Sequence, residues 1–133
     1  MSRFRARQAG VDVRHRPLEQ FAQRQAQSAE LTTLLGVRDD ARAELARLES
    51  DVALVDARAA RDTERLAATS NVKEAQGLEH ELASLAKRKS DLEDAELQIM
   101  ERLEDADAAV ATTTAIWTSL LDELEPDARD GGD

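Results

Sequence analysis

His15 and His80 are the two imidazoles of this chain, and 28 Asp and Glu residues accompany them. Imidazoles with carboxylates could hold a divalent metal, and paired carboxylates could move a proton in acid–base chemistry. Their placement argues against both. His80 falls at an outward position of the heptad repeat described below, and His15 lies in an arginine-rich segment, so no two imidazoles converge with carboxylates. An acid–base pair also needs a cleft that perturbs its proton affinity, and a thin pair of helices offers none. Cysteine is absent, so disulfides, thiolate nucleophiles and cysteine-held zinc are excluded from these residues. The expectation is no catalytic centre, no metal, no cofactor and no small-molecule substrate, with the acidic faces serving as solvated surface.

Charge narrows the partners. Residues 1–16 hold Arg3, Arg5, Arg7, Arg14 and Arg16 against Asp12, a net +4, which leaves 13 minus 27, or −14, for residues 17–133 of a chain carrying −10. Phosphate repels such a body, so nucleic acid has one candidate contact, the five arginines of the amino-terminal arm, whose binding would fall steeply with salt.

The elements that position these residues follow from composition. Aromatics are 2% of the chain, Gly numbers 5 and Pro 2, and charged residues reach 35%. That balance suits long helices packed along a narrow seam. From Leu31 apolar residues step by three and four through Leu34, Ala41, Leu45, Leu48, Val52, Val55, Ala59 and Leu66, with Arg38 and Asp62 filling two seam places. With Leu31 as a, this is a heptad repeat. A second series runs Leu78, Leu82, Leu85, Lys89, Leu92, Glu96, Ile99, Leu103, Ala106, Val110, Thr113, Trp117, Leu120, Leu124. Its a positions are offset by two residues from the first series, which a continuous coiled coil does not absorb. The chain must turn between them. Thr69, Ser70 and Asn71 are poor helix-interior residues, and Asn71 followed by Glu74 reads as a cap with its reciprocal carboxylate, so the tip is placed at about 68–72.

The predicted fold is all-α, a long antiparallel two-helix coiled-coil hairpin over residues 18–125, its arms matching over ~75 Å at 1.5 Å per residue. Residues 1–17 form a basic, poorly ordered or short helical arm, and the acidic tail 126–133 buries nothing and is expected to be disordered. Local bends are expected at Gly36 and Gly77. Opposed g positions suggest two inter-arm ion pairs, Arg58 with Glu81 and Asp51 with Arg88. The polar seam residues Arg38, Asp62, Lys89 and Glu96 fix register. No apolar run reaches the ~20 residues of a membrane span, and no secretory leader is present, so the compartment expected is the cytoplasm.

Leu35, Val37, Met100, Ile116 and Leu121 occupy e or g positions that a two-helix seam does not need, and Trp117 sits at an a position near the open end. These six residues are the candidate partner-binding surface, for another protein or for self-association through the base of the hairpin.

Three stretches carry a family likeness: Ala59-Ala60-Arg61-Asp62-Thr63-Glu64-Arg65-Leu66, the run from Lys73-Glu74 to Leu82, and Leu92-Glu93-Asp94-x-x-Leu97-x-x-Met100-Glu101. They resemble the bacterial family, above all its actinobacterial members, that joins a coiled-coil hairpin to a carboxy-terminal four-cysteine zinc ribbon. The likeness is strongest over residues 56–110 and extends over 15–125. It implies a hairpin that holds partners while the ribbon contacts nucleic acid or protein. Two departures stand out: no cysteine follows the hairpin, so the chain reads as the hairpin without its ribbon, and residues 1–14 lack the family's leucine-rich first segment. Transcript-cleavage factors also carry an antiparallel hairpin, whose acidic tip enters RNA polymerase. Here Asp62 and Glu64 lie down one arm and Glu74 stands alone on the other.

Overall fold

The structure, a computed structural model, describes the backbone of residues 2–124 and the side chains of residues 16–123. Two helices make up the fold, α1 (Ser2–Ala68) and α2 (Val72–Leu124), packed antiparallel as a helical hairpin. The expected tail 126–133 lies outside the described residues.

α1 begins sixteen residues before the expected arm. Its helix runs through Pro17 without interruption, so the backbone of the arginine-rich segment continues the arm instead of forming a separate short piece. A proline removes one ladder donor and crowds the preceding turn, but the hydrogen bonds on either side of it remain available. Gly36 and Gly77 likewise interrupt neither helix. A Cβ added at either glycine meets nothing within 4 Å.

The chain divides into two compact units, a tip unit of Arg38–Asp105 and a terminal unit of Met1–Val37 with Ala106–Asp133. In the tip unit the buried side chains are Ala41, Val55, Asp62, Leu78, Leu92 and Ile99. All are d residues of the two heptad series, while the a residues, from Leu45 to Leu66 and from Leu82 to Leu103, are half-buried. The period of 3.5 therefore sets the seam, and small or branched residues at d let the arms close there.

Among the described residues, ion pairs join the arms of the tip unit. Arg58 pairs with Glu81, Lys89 Nζ lies 2.8 Å from Asp56 Oδ1, and Arg102 Nη1 lies 3.9 Å from Glu44 Oε2. Asp51 and Arg88 are not an ion pair among the described residues. In an antiparallel pair each g residue stands between two g residues of the other arm, one heptad apart. Arg102, opposite Val37 in the alignment that pairs Arg58 with Glu81, thus reaches Glu44 one heptad along.

At the tip, Asn71 caps α2. Its Oδ1 accepts a hydrogen bond from the Glu74 N–H at 3.1 Å. The Thr69 hydroxyl donates to Glu74 Oε2 at 3.1 Å and accepts from the Asn71 N–H at 3.2 Å. The reciprocal carboxylate expected from Asn71 and Glu74 is present, but it closes through the Thr69 hydroxyl.

Candidate partner-binding surface

In the terminal unit the seam changes character. Ala106 and Thr113 are buried at d positions, and Val110, Trp117 and Leu120 are half-buried. Extending the α1 heptad upstream of Leu31 puts Gln27, Arg24 and Gln20 at the next seam places, and all three are half-buried. Arg24 Nε and Gln27 Oε1 are enclosed without a hydrogen-bond partner. The Arg24 guanidinium carbon stands 5.8 Å from the centre of the Phe21 ring, within cation–π range.

Large apolar side chains lie outside this polar stretch. Leu18 is 68% exposed, Phe21 53%, Val37 46%, Ile116 42% and Leu121 42%. Such residues cost little singly, but here both flanks carry them, Phe21 and Leu121 at e and Val37 and Ile116 at g, which leaves apolar surface to be covered. Five of the six residues expected to contact a partner, Leu35, Val37, Ile116, Trp117 and Leu121, belong to the terminal unit. Leu35 and Trp117 are half-buried, and the other three are exposed. Met100 is exposed as well but belongs to the tip unit.

Leu18 and Phe21 were hidden from the sequence reading because the heptad was counted only from Leu31, and the Gln20, Arg24, Gln27 seam conceals the phase before it. A second signal was available. Residues 108–121 contain no charged residue, and residues 20–37 contain two, Arg24 and Glu30. Residues 38–105 contain 11 basic and 18 acidic residues, a net of −7. A solvated coiled-coil face is normally charged, so this contrast sets the terminal unit apart.

The alternative sites fare differently. Arg16 is exposed and lines a shallow polar cleft with Glu19, Gln20, Gln23 and Glu123. Two carboxylates thus stand around the last of the five arginines. Arg3, Arg5, Arg7 and Arg14 lie outside the described side chains. At the tip, Arg65, Ala68, Thr69, Ser70, Asn71 and Glu74 line a shallow hollow. Its carboxylate is engaged by Thr69, and Asp62 is buried in the seam. Among the described residues no three of His, Asp and Glu gather into a group that could hold a metal ion. No described helix is long and apolar enough to cross a membrane.

Two antiparallel helices, a 4–3 seam and a tight capped tip define a coiled-coil hairpin, a helical scaffold. The chain belongs to the family of CT398-like coiled coil hairpin domains, whose family model matches residues 1–131. No curated protein and no solved structure matches it.

Proposed function

We propose that this chain is a non-catalytic scaffold that holds a protein partner along its terminal unit. The observation that carries this reading is the inversion there: Gln20, Arg24 and Gln27 occupy the seam while Phe21, Val37, Ile116 and Leu121 face outward. Burying apolar surface of this kind contributes ~25 cal/mol per Å2, and a charge-poor surround costs little to desolvate. The resemblance to hairpins that carry a zinc ribbon supports placing the scaffold in a cytoplasmic process that touches nucleic acid or transcription. A Cys-x-x-Cys pair encoded beyond codon 133 in the natural gene would support that placement, and a frame continuing without one would remove it.

The test of the scaffold is the double substitution Ile116→Lys with Leu121→Lys, read by the set of proteins co-purified from cells. Both side chains are exposed, so helicity by circular dichroism stays unchanged. The expected result is loss of the specific co-purifying species, including any second copy of the chain. An unchanged set would overturn the reading.

A further inference from the structure

The scaffold reading leaves its occupant open, and the geometry of one flank addresses it. The g residues Arg16, Gln23 and Glu123 of the two arms meet around the polar cleft, so the e residues share the opposite flank. On α1 these are Phe21, Ser28 and Leu35, and on α2 they are Leu121 and Thr114, with Asp107 at the edge. No charged residue stands at its e positions between Phe21 and Leu35 or between Thr114 and Leu121, although the Arg24 guanidinium reaches over the Phe21 ring.

Two threonines beside the flank turn their hydroxyls onto their own helices. The neighbouring Thr32 hydroxyl donates to the Ser28 carbonyl at 3.0 Å, and the Thr118 hydroxyl donates to the Thr114 carbonyl at 2.9 Å. Each threonine satisfies its hydroxyl on its own helix and so presents its methyl more freely. The flank is thus bordered by methyl groups. It has bulky ends, at Phe21 with Leu121 and at Leu35, and a narrow waist of Ser28 and Thr114.

We infer that this flank binds a second copy of the chain in a two-fold, antiparallel arrangement, forming a four-helix bundle from two terminal units; this rests on the scaffold reading. Two features favour a second copy. The first is charge. Two chains of −10 repel along their acidic lengths, and a partner selected by opposite charge would be drawn to those same lengths. The flank, with Arg24 over Phe21 at one end and Asp107 at the other, is where two identical acidic bodies touch with the least of that penalty. The second is shape. A two-fold axis through the waist sets small residues on small ones, so the helices approach closely, and brings the bulky end of each copy onto the other end of its mate. Two helices ~10 Å wide over ~21 Å of axial rise present ~400 Å2 in projection. Accessible area exceeds projected area, which puts the flank on the order of the ~800 Å2 per partner of a stable interface.

The experiment combines sedimentation of the full chain with photo-crosslinking in cells through p-benzoylphenylalanine at position 121. The expected mass in sedimentation is twice the 14.6 kDa of one chain. Phe21→Glu with Leu121→Glu should give a monomer of unchanged helicity, and Leu54→Glu with Leu97→Glu, exposed in the tip unit, should leave the dimer intact. The crosslinked species should be the chain joined to itself. A monomeric chain at roughly 100 μM, weaker than any specific complex of this size, overturns the inference. So does a dimer that survives the Phe21 and Leu121 substitutions. A crosslink to a different protein overturns the second copy and leaves the scaffold standing; no crosslinked protein at all removes both.

Discussion

Arg58 on α1 donates from Nε to the Glu81 carboxylate on α2, tying the two arms of the tip unit together about three helical turns from the tip. The pair is largely in water, with side-chain exposures of 62% and 35%. Exposed pairs of this kind select among alignments more than they stabilise any one of them.

This pair makes stability depend on pH in a stated direction. The hydrogen bond from Arg58, then the Arg58 charge, the Asp62 side chain and the Arg65 charge, hold the Glu81 carboxyl below its ordinary value, against partial desolvation. A carboxyl lowered in the folded state contributes fully above its unfolded pKa, ~4.3 for Glu. That contribution is lost as pH falls through the lower, folded value. Thermal unfolding of Glu81→Gln and the natural chain should therefore converge in strongly acidic buffer and separate as pH rises past the ordinary carboxylate range. Parallel pH profiles would show that Glu81 carries no such linkage.

Asp62 is a costly residue of the seam. It is 3% exposed at a d position, and its Oδ2 has no hydrogen-bond partner. An enclosed polar atom without a partner costs ~1–3 kcal/mol, and apolar replacements of buried charges are often neutral or stabilising. Asp62→Leu should raise the unfolding free energy by about 1–3 kcal/mol in urea titration, while Asp62→Asn, which keeps a polar atom there, should gain little. A Leu variant weaker than the natural chain would mean that the carboxylate is worth more to Arg58 than its burial costs.

The hairpin was legible because its signal is periodic. Every buried side chain described, from Ala41 to Thr113, stands at a d position that the apolar spacing alone assigns. The two-residue phase offset located the turn, since only a break in the helix reconciles the two series. What escaped the sequence was whatever depends on side-chain reach or on polar residues in apolar places. The expected hairpin arm begins at Leu18, and α1 runs on before it. Asp51 stands opposite Arg88 by heptad position, yet the two form no ion pair among the described residues. Along the candidate surface, Val37, Ile116 and Leu121 stood out because each breaks the seam pattern, whereas Phe21 did not, because Gln20 and Arg24 erase the pattern it breaks.

The tip supplies a prediction that separates local from long-range contributions. The Thr69 hydroxyl accepts from the Asn71 N–H and donates to Glu74, and Asn71 in turn caps the Glu74 N–H. One hydroxyl thus serves two residues of the first turn of α2, where donors lack intrahelical partners. Thr69→Val keeps shape and removes both bonds, and Asn71→Ala removes the cap itself. Each should cost about 1 kcal/mol. Thr69→Ser keeps the hydroxyl and should recover most of the loss. Because arm pairing is untouched, the change should appear as faster exchange of the amide hydrogens at Asn71 and Glu74, with little change at Leu92 or Ile99. Exchange accelerated evenly along both arms would mean that the tip cap holds the whole seam closed, since a capped turn that only ended a helix would open alone.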